Sequence, residues 1–329
     1  MLTKSRRALS RNFRVLILIV VSFLPGLSFA QDFPSRQIGL VVPFPPGGPT
    51  DIIARLLGQA LSDQLGKPVV VLNVGGAGGT IGAARVATAP PDGYTLLMAS
   101  SAQLVLAPHV FPSLPYNGYD AFEPVGLVTR VPLVLQVPAA SKYKSLKELL
   151  DYGKANPGAI KIANVGLGTI QHVVIELLLS NVGINAKQIP YKGSAPATTA
   201  FLGGDVDFMI DLPGAVAPLV EGSQSRALAV FSNERIAELP NVPTAREQGV
   251  DFEAYTWFSV MAPKGISPER LALLRDRLTQ VLANNDMVAK MKATGFPATP
   301  MPIADFTAMM KAESARYKTA VDAAGIKIQ

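Results

Sequence analysis

The run VVPFPPGGPTDIIARLLGQAL, Val41 to Leu61, constrains the fold of this 329-residue chain more than any other feature. A β-branched stretch stops at prolines and glycines, and residues with helical spacing begin at Asp51. Ile38 to Val42 reads as a strand. Ile52, Ile53, Leu56, Leu57, Ala60 and Leu61 then form one apolar helix face, which Gly66 ends. The plan returns at once: a strand at Val69 to Leu72, a glycine loop at Gly75 to Gly79 with a short helix from Thr80, and a strand at Tyr94 to Ala99 after the turn Pro91-Asp92-Gly93. After residue 160 the whole plan recurs. Ile160 to Asn164 is a strand, Gly166-Leu167-Gly168-Thr169 a loop, and Val173, Val174, Leu177 and Leu178 a helix face. Strands at Gln188 to Tyr191 and Val206 to Ile210 follow, around the loop Lys192 to Pro196.

Strands alternating with helices build parallel sheets through crossover connections. Ligands of such sheets bind beyond the carboxyl ends of the strands. Two facing halves therefore direct both sets of loops into one cleft. Val125 to Val137 and Glu253 to Met261 are strand-like runs between the halves, and the tail from Pro268 is helical, with Leu271, Leu274, Leu278 and Val281 on one face. A chain that leaves its first domain near 130 and returns near 254 makes that domain discontinuous. The expectation is an α/β protein of two domains, residues 31–130 with 254–329 and residues 131–253. Each is a mixed sheet flanked by helices, and the two crossings suit a hinge.

Residues 1–30 read as an export signal. Lys4, Arg6, Arg7, Arg11 and Arg14 are a basic n-region, Val15 to Leu24 is an apolar h-region, and Ser28-Phe29-Ala30 supplies the small residues for cleavage after Ala30. The h-region is shorter than the roughly 20 residues that span a bilayer; a retained membrane anchor is the alternative. Ser5-Arg6-Arg7-Ala8-Leu9 faintly resembles a twin-arginine signal, so the general and twin-arginine routes both remain open. The net charge of +6, less those five basic side chains, leaves the mature chain at +1. No basic patch remains to argue for nucleic acid or a membrane surface as partner. The absence of cysteine excludes disulfides, thiol nucleophiles and zinc–thiolate sites. A monomer in the periplasm is expected.

The loops do not carry known chemistry. Gly47-Gly48-Pro49-Thr50 lacks the lysine of a phosphate-binding loop. Gly76-Ala77-Gly78 and Gly166-Leu167-Gly168 begin like dinucleotide fingerprints but place Ile81 and Gln171 at the last glycine position. No serine elbow and no zinc helix is present, and His109 and His172 are the only histidines. Asp205, Asp207 and Asp211 lie on or beside one strand, where a solvated edge explains them. No catalytic residue, metal or cofactor is expected. What remains is binding apparatus. Pro49 suits a first helical turn. Asp51 either complements the helix dipole or orders ligand, Thr169 either caps its helix or binds, and His172 is either a packed histidine or a ligand contact.

The motifs resemble those of one family. Val42-Pro43-Phe44-Pro45-Pro46-Gly47-Gly48-Pro49-Thr50-Asp51 is similar to the opening signature of the Bug, or TctC, family: periplasmic solute-binding subunits of tripartite tricarboxylate transporters. Ala77 to Ala83, Pro91 to Leu96, Ile189 to Pro196, Leu239 to Thr244, Trp257-Phe258 and Ala262-Pro263 match in order, from about Phe33 to Ile328. The resemblance implies a type II-like periplasmic-binding-protein fold that closes on a small organic carboxylate. Loop amides, hydroxyls and bridging waters would hold the ligand, and membrane subunits of a transporter would be its partners. It implies ligand contacts at Phe44, Pro46, Gly47, Gly48, Thr50 and Asp51, at Gly78, Gly79, Ser101 and Ala102, and at Gly168, Thr169, Gln171 and His172. Tyr191 and Asp211, at strand ends, are added on position alone. Three departures, Thr169-Ile170-Gln171, Leu72-Asn73-Val74 and the apolar loop Ser101 to Ala107, suggest a ligand with an aromatic or aliphatic body; packing inside the domain is the other explanation. Arg130 either pairs with a second carboxylate or lies at the surface. A ligand sensor for a membrane signalling system and an exported carboxylate-processing enzyme are the rival functions.

Overall fold

The structure, a computed structural model, describes residues 33–327, so the expected export signal and its cleavage point lie outside it. The first half runs β1 (Ile38–Val42), α1 (Pro49–Leu65), β2 (Val69–Asn73), α2 (Thr80–Ala87) and β3 (Thr95–Ser100). It continues through α3 (Ala107–Val110) to β4 (Phe122–Pro132). The second half holds β5 (Val134–Pro138), α4 (Leu146–Ala155), β6 (Lys161–Asn164), α5 (Ile170–Val182), β7 (Lys187–Pro190) and α6 (Ser194–Leu202). It ends with β8 (Phe208–Asp211), α7 (Pro213–Glu221) and β9 (Ser225–Val230). The tail adds β10 (Tyr255–Pro263), α8 (Pro268–Ala283), α9 (Asn285–Ala293) and α10 (Ile303–Ala324).

Ten strands form two five-stranded mixed sheets, ordered β2-β1-β3-β10-β4 and β7-β6-β8-β5-β9. In each, the first three strands are parallel and the fourth runs antiparallel to both neighbours. The two sheets thus share one topology, with one difference. The antiparallel strand comes last in the chain for the first sheet and first in the chain for the second. The extended run read as Val125 to Val137 is two strands in two sheets, split at Leu133. There the two crossings of the chain are laced together by backbone hydrogen bonds. The Leu133 N–H donates to the Ala254 carbonyl (2.9 Å), the Ala254 N–H to that of Phe231 (3.0 Å), and the Phe231 N–H to that of Leu133 (2.9 Å).

Strand burial follows from the layering. Val41, Val42, Leu97, Met98 and Ala99 are fully buried, as expected for strands covered on both faces. Trp257 of β10 is also fully buried, meets Phe306 of α10 edge to face at 5.1 Å, and donates its indole N–H to Glu313. Each such large apolar side chain contributes roughly 1.5–3 kcal/mol, so the last helix is sealed to the first sheet's layer. The apolar segment Ser101 to Ala107 is not a loop. Ala102 to Leu106 form a wide π-helical turn running into α3, with Leu104, Val105 and Leu106 fully buried. For these three residues packing inside the protein is the explanation that holds.

Candidate functional site

A cavity opens where the two sheets direct the carboxyl ends of their strands at each other. One wall comes from the loop after β1 (Phe44, Pro46, Gly48, Thr50), from Ser100 and Ala102 after β3, and from Thr256 and Phe258 at the start of antiparallel β10. The opposite wall comes from Thr169, Ile170 and Gln171 after β6, from Lys192 to Pro196 after β7, and from Leu212 after β8. Three helices begin on these walls, and the first N–H groups of a helix have no intrahelical partner. Those of Thr50, Ile170, Gln171, Ser194 and Ala195 therefore surround the cavity with donors and the positive ends of three helix dipoles. Lys192, exposed on the rim, is the one charged side chain among the lining residues.

Of the sequence-derived candidates, Phe44, Pro46, Gly48, Thr50, Ala102, Thr169 and Gln171 line this cavity. The others stand behind it and shape it. Asp51 is 3% exposed, and its carboxylate accepts the Gly47 N–H (3.0 Å), the Arg55 Nε–H (2.9 Å) and the Asn73 Nδ2–H (2.9 Å). Burial alone would raise its pKa; the hydrogen bonds from Arg55, Gly47 and Asn73 outweigh it and hold the carboxyl below the usual range. Asp51 thus folds the glycine loop back onto its own helix, and Gly47, with φ +85°, makes the turn that this needs.

Thr169 both caps and lines. Its Oγ1 accepts the His172 N–H (3.3 Å) and its hydroxyl donates to the Gly166 carbonyl (2.7 Å). His172 is buried and packed. Its Nδ1 accepts the Gly168 N–H (3.3 Å), and burial lowers its pKa to about 4, so the ring is neutral near pH 7. His109 bonds Ser314 with its Nε2, in the other half of the fold. Among the described residues no group of three or more His, Cys, Asp or Glu is placed to hold a metal ion.

On the first sheet's side, Ser101 shares a hydrogen bond with Thr256 (3.0 Å) behind the wall. Gly78 lies at the rim. A Cβ added to it would sit 2.8 Å from the Leu167 carbonyl oxygen, so the two halves meet there at backbone level. Gly79 packs beside Gln103 and Pro43. Tyr191 packs against the apolar cluster of Ala163, Val165, Phe201 and Met209 instead of reaching the cavity. Asp211 is fully buried beneath the floor. Arg130 stacks its guanidinium 3.9 Å over the Tyr255 ring and does not line the cavity.

Several wall residues had no sequence signal as site residues. Thr256 and Phe258 arrive from 150 residues away on β10, and Ser194 and Lys192 sit in a loop recognisable as a motif but not as a wall. Gln103, behind the wall, is the most instructive. Fully buried, it accepts the Ser100 N–H (2.8 Å) and hydroxyl (2.9 Å) and donates to the Gly78 carbonyl (2.8 Å), tying wall to rim. A single amide inside the run Ala102 to Ala107 was the signal that could have found it.

Two matching sheets joined by two crossings, with loops and helix N-termini converging on a cavity between them, define a periplasmic-binding-protein fold. Residues 53–326 match the model of the tripartite tricarboxylate transporter family receptor, TctC, and the chain belongs to that family of periplasmic binding proteins, which are transporter receptors and not enzymes. It is 42% identical over 274 residues to Protein BugT of Bordetella pertussis, covering 83% of each chain. The solved structure of the periplasmic binding protein BugD superposes with a TM-score of 0.85 at 36% identity, over 90% of this chain and 100% of that one. R. palustris Rpa4515 with adipate gives 0.86 at 33% identity, over 90% and 99%. Among the described residues no helix is long and apolar enough to cross a membrane.

Proposed function

We propose that this protein captures a small organic carboxylate in the cavity between its two halves and delivers it to the membrane subunits of a tripartite tricarboxylate-type transporter. The observation that carries the reading is the convergence of three helix N-termini, at Pro49, Ile170 and Ser194, on one cavity whose walls otherwise come largely from proline, Phe44, Ile170, Leu212 and Phe258. Uncharged amide donors bind an anion without the hold of an arginine fork, so the anion can leave again. The apolar walls suit an aliphatic or aromatic body. That part of the reading now rests on Ile170, Phe44 and Phe258, because the segment Leu104 to Leu106 packs in the core. The related R. palustris protein with adipate makes a carboxylate the first class to try.

Phe44, Pro46, Gly48, Thr50, Ala102, Thr169 and Gln171 are the contacting set in this reading; Gly47, Asp51, Gly78, Gly79, Ser101, Gly168, His172, Tyr191 and Asp211 act by positioning. Residues 31–130 with 254–329 would move against residues 131–253 about the laced strands at Leu133, Phe231 and Ala254. The chain would reach the periplasm through a signal cleaved after about Ala30. A thermal-shift panel of mono-, di-, tri- and aromatic carboxylates tests the reading. A ligand at about 100 times its Kd adds roughly 2.7 kcal/mol of stability, a rise of several degrees. A panel in which no carboxylate raises the melting temperature contradicts it.

A further inference from the structure

The floor of the cavity contains a buried carboxylate that capture of an anion does not call for. Asp211, the last residue of β8, is fully buried. It accepts the Ser194 hydroxyl, the Gln171 Nε2–H (3.3 Å) and the Leu212 N–H (2.9 Å). Those three donors come from α6, α5 and the end of β8, and all three residues line the cavity. Among the described residues no lysine or arginine pairs with Asp211.

We propose that Asp211 is a positioning residue that sets the hydrogen-bond polarity of this floor, so that the ligand group resting on Ser194 and Gln171 is a donor, a hydroxyl or an ammonium, and not a second carboxylate. The inference rests on the carboxylate reading of the cavity. Burial with no cation beside it raises the Asp211 pKa, and the hydrogen bonds from Ser194, Leu212 and Gln171 oppose that rise; three donors converging on one carboxylate is the geometry that favours its acceptor-only form. A serine hydroxyl has one proton, and here it is committed to Asp211, so Ser194 turns lone pairs to the cavity. Gln171 must face Asp211 with its nitrogen, which turns its Oε1 away from that carboxylate. A ligand carboxylate resting on these two side chains, and not on the helix amides beside them, would meet acceptors and a buried negative charge. A donor would complete the network. The ligand's carboxylate then belongs at the free helix amides and not on these two side chains, and the far end of the ligand carries the hydroxyl or ammonium.

Calorimetric titration at pH 7 with two matched series tests this: butyrate, 4-hydroxybutyrate, 4-aminobutyrate and succinate, and their six-carbon counterparts ending in adipate. In the wild-type protein the better of the hydroxy and amino acids binds at least tenfold tighter than the alkyl acid and the dicarboxylate of the same length. In Asp211→Asn the side-chain amide donates to Ser194, whose proton swings into the cavity, and the order reverses in favour of the dicarboxylate. Ser194→Ala, at the half-buried first position of α6, retains the fold and reduces the preference to less than threefold. The proposal is overturned if a dicarboxylate binds wild type as tightly as its hydroxy and amino analogues. It is equally overturned if the wild-type order persists in folded Ser194→Ala. If none of the eight acids binds, the carboxylate reading itself fails and takes the inference with it, an outcome distinct from binding without preference.

Discussion

At the scale of single residues, the cavity is shaped mostly by side chains that do not reach it. Asp51 and His172 each hold a glycine N–H, at Gly47 and Gly168, and so fix the backbone on opposite walls. His172 gives this arrangement a pH dependence. Its pKa is held at about 4 by burial, against about 6.5 in an unfolded chain. Between those values the unfolded state takes up a proton and the folded state does not, so its contribution is complete above pH 6.5 and is lost as the pH falls toward 4. Wild type should lose about 2 to 3 kcal/mol more than His172→Asn between pH 7 and pH 4.5, since asparagine keeps an acceptor for Gly168 and does not titrate. Urea unfolding at the two pH values measures this, and equal losses contradict the assignment. The sequence left His172 and Thr169 with two roles each because spacing reports that a residue is near a helix start. It does not report which lone pair faces inward. Thr169 caps its helix and lines the cavity, and His172 packs behind it on the Gly168 N–H.

At the scale of elements, much of the architecture was written in local pattern. β1, α1, β2 and β3 coincide within a residue or two with the runs read from Ile38 to Ala99, because alternating β-branched and helical stretches separated by glycine need no distant partner to be recognised. The single run Val125 to Val137 was less legible. Its two pieces pair with β10 in one sheet and with β8 and β9 in the other, and only those non-local partners divide it at Leu133. The wide turn at Ala102 to Leu106 likewise depends on core space that no periodicity announces. Helix caps offer a matched test of local against functional roles. Ser145 caps α4 by accepting the Glu148 N–H (3.2 Å), as Thr169 caps α5. Thr169→Ala and Ser145→Ala should each cost about 1 kcal/mol of stability. Only Thr169→Ala should also weaken carboxylate binding, at least fivefold by calorimetry; equal affinity in the two variants would remove Thr169 from the site.

At the scale of the whole molecule, the account is one of closure. Two halves of the same topology are joined where Leu133, Phe231 and Ala254 exchange hydrogen bonds, and they meet again at the rim, where Gly78 abuts Leu167 and Gly168. A ligand shifts such an equilibrium only by binding the closed state more tightly than the open one, so an obstruction at the rim should register as lost affinity. Gly78 has φ 62° and ψ 16°, and Gly66, at the end of α1, has φ 64° and ψ 15° with nothing within 4 Å of an added Cβ. An alanine at either position carries the same left-handed strain, roughly 1–2 kcal/mol, but only at position 78 does its methyl group collide with the facing half. The most direct test of capture by closure is calorimetric titration of Gly66→Ala and Gly78→Ala, side by side, with the tightest carboxylate of the thermal-shift panel. Gly66→Ala should bind as wild type does and Gly78→Ala at least tenfold more weakly; equal affinity in the two variants would contradict the account.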